Sequence, residues 1–187
     1  MEGVMGVDLR KRRSIQLLWK ALFELMTVKK MGFSKITVDH ICENAMVHRS
    51  TFYKHFDDKF RLLEYGLNQL MERYWEIPLE KRILNPFFWS NHFFEGSESH
   101  QLIRAQRNDE LFFDSMNSYS MSFLRRDALM FIQNAKPIDI PHDLLAIFHV
   151  STMVALSEWW RNNPDRASLT QMDQYFNQLV NENIFRS

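Results

Sequence analysis

Residues 36–56 read Ile-Thr-Val-Asp-His-Ile-Cys-Glu-Asn-Ala-Met-Val-His-Arg-Ser-Thr-Phe-Tyr-Lys-His-Phe, and the spacing of apolar side chains in this stretch decides the fold. Val38, Ile41, Cys42 and Ala45 fall on one face of a short helix that Thr37 can cap. Met46 and Val47 then interrupt the pattern, and a second short helix is predicted from about His48 to His55. Two short helices joined by a three- or four-residue turn have the layout of a helix-turn-helix. If Val47, Phe52 and Phe56 face inward with Ile41 and Ala45, the opposite edge presents His48, Arg49, Ser50, Tyr53 and Lys54 to solvent. That edge is rich in hydrogen-bond donors. An arginine there can fork onto the O6 and N7 of a guanine, while Thr37, His55 and Lys59 sit at helix ends, where phosphates would be met.

Upstream, Ile15, Leu18, Trp19, Leu22, Leu25 and Met26 recur at three- and four-residue steps, so Asp8 to Lys30 is predicted to be one amphipathic helix. Lys29 and Lys30 suit its negative end, and Gly32 is expected to supply the left-handed residue just past it. Downstream, Asp58 can cap a long helix whose stripe of Leu63, Leu67, Leu70 and Tyr74 runs until Pro78. Asn85 and Pro86 read as a cap and a first-turn proline, with helices predicted at about 86–95, 97–105 and 109–134. Pro141 opens another that reaches Asn162, and Ser168 with Gln171 forms a capping box for one over 169–183. The expectation is an all-α chain of about nine helices, with a three-helix reading head at 1–57 and a helical bundle at 58–187.

The 187 residues are enough to bury a core without covalent staples, and the single cysteine, Cys42, rules out an internal disulfide. Cys42 shares the buried stripe of its helix, so packing is its expected role. The net charge of zero hides an asymmetry: residues 1–60 hold 11 Lys and Arg against 7 Asp and Glu, and residues 61–187 hold 12 against 16. A basic front suits a polyanion, and the run Arg10 to Arg13 reads either as an arm toward phosphate or as an ordinary charged helix start. No signal peptide, membrane-length apolar run, zinc-spaced histidine pair, Cys-x-x-Cys, phosphate loop, dinucleotide fingerprint or Gly-x-Ser-x-Gly occurs. These readings point away from an enzyme, a metal site or a cofactor, and toward the cytoplasm, with nucleoid association when bound to DNA.

The order Thr-Val-x-x-Ile-Cys, Ala-Met-Val, then Ser-Thr-Phe-Tyr-Lys-His-Phe-x-x-Lys from Ser50 to Lys59 resembles the signature of the TetR family of transcriptional regulators. The resemblance is specific over about residues 10–65. Farther on, Phe93-Phe94, Asn108 to Phe113 and Trp159-Trp160 are similar to a C-terminal type seen in Gram-positive members. It implies that Arg49, Ser50, Tyr53 and Lys54 face bases or nearby backbone, and that Thr37, Tyr53, His55 and Lys59 grip phosphate. One position departs from the family pattern: Met46 stands where glycine is usual, and a left-handed non-glycine residue costs on the order of 1 kcal/mol.

The helix from Pro141 is apolar around most of its circumference, so it must be buried on more than one side. With the last helix it is expected to form a two-fold dimer through Phe148, Ser151, Thr152, Ala155, Trp159, Met172, Tyr175, Phe176 and Leu179. A dimer sets two reading edges one duplex turn apart, about 34 Å, and implies a palindromic double-stranded operator. Trp75, Phe88, Trp89, His92, Phe93, Phe112, Phe113, Met116 and Tyr119 read as core, or as walls for a small apolar or aromatic effector. The helix from Asp58 to about Ile77 would then be the lever. The favoured reading is a repressor released by such an effector; the alternative is a coactivator or interaction protein answering a metabolite or partner protein.

Overall fold

The structure, a computed structural model, describes residues 2–134 and 139–181. Its elements are eleven α-helices with no strand among the described residues, and they divide into two compact units. The first comprises the chain up to Glu72 together with Gly96–Asn117; the second comprises Arg73–Glu95 and the chain from Ser118 onward. The expected boundary lies at 57/58. Packing draws a different line, because residues 58–72 and 96–117 belong with the helix-turn-helix.

In the first unit α1 (Glu2–Thr27) buries Leu18, Leu22, Leu25 and Met26, the stripe read from the sequence. Its end differs from expectation. Lys30, at φ 52°, takes the left-handed position, and the Met31 N–H reaches back to the Leu25 carbonyl at 3.0 Å, closing the last turn. Gly32 has φ −60° and is no left-handed cap. It is small for another reason: a Cβ there would lie 2.7 Å from an Asp109 carboxylate oxygen. A 3-10 turn at Phe33–Lys35 leads to α2 (Val38–Ala45) and α3 (Arg49–Tyr53).

Asp58 caps α4 (Lys59–Leu70) by accepting the Arg61 N–H at 2.9 Å. The helices α1 and α4 approach so closely at Gly66 that a Cβ would fall 2.1 Å from the Trp19 ring. The helix expected to run unbroken to Pro78 stops at Leu70, and a separate short α5 (Glu72–Trp75) follows, so no single lever helix spans that stretch. Two further elements complete the unit: α8 (Glu98–Ala105), capped by Ser97, and the first residues of α9 (Glu110–Gln133).

The second unit holds α6 (Leu79–Leu84), which the sequence reading did not anticipate, α7 (Pro86–Phe94), the rest of α9, α10 (His142–Asn162) and α11 (Leu169–Phe176). A π-helical turn at Asn177–Asn181 follows; residues 182 and 183, where the last helix was expected to end, lie outside the described residues. One apolar cluster joins Ile83, Ala128, Ile132, Leu145, Ala146 and Val150; another joins Phe87, Ala167, Met172, Phe176 and Val180. Met172 and Phe176, expected at a dimer interface, are instead wholly buried within their own chain. Their faces of α11 are already spent on the core.

Polar groups buried here have distant partners. Asn85 makes no side-chain cap to α7. The carboxylate of Asp173 on α11 does that work, accepting the N–H groups of Phe87 and Phe88 at 2.9 and 3.0 Å. Arg82 and Asp127 form an ion pair at 2.9 Å, less than one tenth exposed on either side, with the guanidinium 4.9 Å from the Trp75 ring centre.

His149 is 3% exposed and lies edge-on to Phe176 at 4.9 Å. Burial lowers its pKa from 6.5 to about 4, with the Ile83 backbone offsetting only part of the shift. The folded protein therefore holds the imidazole neutral, and protonation favours the unfolded chain. Stability should be full above pH 6.5 and should fall as pH drops from 6.5 toward 4, by about 3 kcal/mol in total. Denaturant midpoints of wild type and His149→Leu across that window check this: the wild-type curve should fall more steeply, and parallel curves would contradict it.

Candidate nucleic-acid interface

The site is built from a turn and two short helices. Thr37 caps α2 reciprocally with His40: the His40 N–H donates to the Thr37 hydroxyl oxygen and the Thr37 N–H to His40 Nδ1, both at 3.2 Å. The turn is closed by Met46 in the left-handed conformation, φ 53° and ψ 47°, with the Met46 N–H bonded to the carbonyls of Cys42 and Glu43. Its side chain is 92% exposed, so the position bears backbone strain without a packing gain. The Val47 N–H adds a bond to the Cys42 carbonyl at 3.0 Å.

Ile41, Ala45, Phe52 and Phe56 are buried and Val47 is half-buried. His48, Arg49, Ser50, Tyr53 and Lys54 are all exposed along the edge of α3. The Nη1 of Arg49 donates to both carboxylate oxygens of Asp39, at 2.7 and 2.9 Å, and its Nη2 donates to the Tyr53 hydroxyl at 3.2 Å. Asp39, Cys42, Glu43, Met46, Val47, His48 and Arg49 surround an open recess of about 340 Å³ in the elbow of the motif. Cys42 is buried at its back, and burial followed by the Asp39 charge raises its thiol pKa, which keeps it protonated and inert.

The phosphate set divides. Thr37 is exposed, and its hydroxyl still has a proton to donate. His55 is half-buried; burial first, then Lys11 and Lys54, lowers its pKa, which favours the neutral imidazole with a single N–H donor. Lys59 turns inward instead. Its ammonium donates to the carbonyls of Phe33 at 2.8 Å, Ser34 at 3.3 Å and Ile36 at 2.8 Å, and lies 4.7 Å from the Phe33 ring centre. An ammonium has three N–H donors and all three are taken, so the expected phosphate grip by Lys59 gives way to a structural clasp on the segment that leads into α2.

Two residues not singled out in the sequence complete that clasp. Gln106, fully buried, accepts the Phe33 N–H at 2.8 Å and donates to the Met26 and Met31 carbonyls at 3.0 Å. Asp109 accepts the Ser34 N–H and hydroxyl at 2.9 and 2.7 Å and the Phe112 N–H at 2.9 Å. Burial opposes its ionisation, but the Ser34 and Phe112 hydrogen bonds and the Lys59 charge outweigh it and lower its pKa. The cap of α9 at Asp109 is legible as an acid before an apolar run; its second attachment, 75 residues away, carries no local signal.

The nine residues expected to wall an effector site are distributed. Phe112, Phe113 and Met116 fall in the first unit, with Phe112 wholly buried and edge-on to Phe33 at 6.4 Å. In the second unit Trp75, Phe93 and Tyr119 gather with Tyr74 and Phe123 in edge contacts of 5.2 to 5.6 Å. Phe88, Trp89 and His92 lie along α7, where Phe88 and His92 are exposed and stacked at 6.0 Å. Among the described residues no group of His, Cys, Asp and Glu is placed to hold a metal, and no helix is long and apolar enough to cross a membrane.

No family model and no curated protein matches the chain. Among solved structures it is similar to a TetR transcriptional regulator from Streptococcus agalactiae 2603V, with a TM-score of 0.58 and 23% identity over 95% of this chain and 98% of that one. The chain has the all-helical fold of that regulator.

Lys59→Met keeps the stem and removes the donors, leaving three carbonyls to find other partners. It should lower stability by about 1–3 kcal/mol, seen as a drop in the thermal midpoint followed by circular dichroism; an unchanged midpoint would return Lys59 to a solvent-facing role.

Proposed function

We propose that this protein is a sequence-specific DNA-binding transcriptional regulator of the TetR type. The observation that carries the reading is the exposed edge of α3: five side chains capable of reading a groove stand outside a helix-turn-helix whose apolar residues are inside. An α-helix fits the major groove, where every base pair presents a distinct pattern of donors and acceptors. Arg49 addresses a base, His48, Ser50, Tyr53 and Lys54 address bases or adjoining backbone, and Thr37 and His55 approach phosphate. The fold shared with a solved regulator over nearly the full length supports the reading.

A two-fold dimer is the assembly that makes this head useful. The helix α10 leaves Leu144, Ile147, Phe148 and Val154 exposed, with Ser151 and Ala155 between them, and Leu179 is 51% exposed beyond α11. The α10 residues recur at steps of three and four and form an apolar stripe exposed to solvent. A second copy burying the same stripe would give the two-fold assembly; reading a palindromic duplex then calls for two α3 edges about 34 Å apart.

Relief of operator binding by a small apolar or aromatic molecule is the finer reading. It is supported by the half-buried aromatic group of Trp75, Phe93, Phe123 and Tyr119 around Tyr74 in the second unit, which offers adaptable apolar walls beside the charge of Arg82. Such a molecule acts only through a difference in affinity between operator-ready and operator-incompetent states.

Selection from a random duplex library with the full-length protein should enrich an inverted repeat, and Arg49→Ala should relax preference at one position of each half-site at a cost of about 1–3 kcal/mol. Recovery of no consensus would overturn the regulator reading. Sedimentation should report a dimer at micromolar concentration that Phe148→Glu converts to monomer; a wild type that stays monomeric would remove the assembly.

A further inference from the structure

We propose that Asp39 is a specificity-determining residue of the reading head, holding Arg49 poised for a base while keeping it off phosphate. The proposal rests on the DNA-binding reading above and adds a role for a carboxylate that lies on the same exposed side as the cations.

Arg49 opens α3, and its guanidinium is fixed from two helices at once. Asp39, in the first turn of α2, takes Nη1 with both oxygens, and Tyr53, one turn along α3, takes Nη2 while its ring lies 5.6 Å from the guanidinium carbon. Nothing among the described residues accepts from Nε. The two Asp39 oxygens share one N–H of Nη1, so by the donor count of the group Nε–H, one N–H of Nη1 and one of Nη2 remain, enough for the O6 and N7 acceptors of guanine.

The pair is hard to explain as a stability device. Its side chains are 57% and 52% exposed, where ion pairs contribute little. A negative charge on a surface that meets a polyanion also weakens attraction. The return is in discrimination. A long side chain ordered before contact has less freedom to lose when it forks onto the right base. On a wrong duplex, a phosphate that approaches Arg49 also meets the Asp39 carboxylate paired to it, and the like charges repel. Glu43 shares the recess beside it, so the elbow offers phosphate an acidic wall and no cradle.

The test uses full-length protein and a duplex enriched from a random library by the wild type, against variants of that duplex and an unrelated duplex. Asp39→Asn should bind the unrelated duplex several-fold more tightly, and its preference at the base read by Arg49 should fall by about tenfold, with an unchanged thermal midpoint. Asp39→Glu should restore preference, since a carboxylate again reaches the guanidinium. In an Arg49→Ala background, Asp39→Asn should change preference no further. Undiminished preference in Asp39→Asn, or an equal loss in the Arg49→Ala background, overturns the role of Asp39 and leaves the regulator reading standing. If the wild type enriches no sequence, the regulator reading falls, and this proposal with it.

Discussion

Backbone groups that cannot join a helix must find partners elsewhere when they are buried, and beside the helix-turn-helix that constraint falls on residues 31–36. These residues link α1 to α2, and their N–H and carbonyl groups lie against a wholly buried Phe33. Backbone carbonyls take the Met31, Lys35 and Ile36 N–H groups, and side chains take the rest of the load: Lys59 donates to three carbonyls, Gln106 accepts the Phe33 N–H and donates to the carbonyls of Met31 and of Met26 in α1, and Asp109 accepts the Ser34 N–H. The direction in which α2 leaves the linker is thereby set by side chains of α4 and of the joint between α8 and α9. Since α3 follows α2 across a tight turn, the aim of Arg49 inherits that geometry.

Much of this was legible in the sequence, for identifiable reasons. Local signals carried through: the stripe of α1, the caps at Thr37, Asp58 and Ser168 and the proline at the start of α7 are all as the spacing suggested. Each depends on neighbours within four residues. The departures share the opposite character. Gly32 looked like a helix terminator because it follows two lysines, yet its smallness answers to Asp109, far along the chain. Lys59 looked like a surface cation at a helix start, and the acceptors that turn it inward lie at least 23 residues back.

The break between α4 and α5 and the existence of α6 were illegible for another reason. No glycine or proline marks residues 67–73, and the leucine and tyrosine stripe continues across the break, so periodicity predicts one helix where two form. Met172 and Phe176 failed as interface residues because a stripe on an amphipathic helix shows that a face is buried, not what buries it. The Asp173 carboxylate at the first turn of α7 and the buried Arg82–Asp127 pair belong with these: a charged residue in a sequence reads as surface until its partner is known.

The linker's dependence on distant residues also shapes the order of events during synthesis. The Phe33 N–H is satisfied by a residue 73 positions later, and at about 5–20 residues per second a ribosome needs roughly 4–15 s to deliver it. For that interval the emerging segment must carry an unsheltered phenylalanine and unmet amides. The linker can therefore take its final form only when residues 106 and 109 have followed it out.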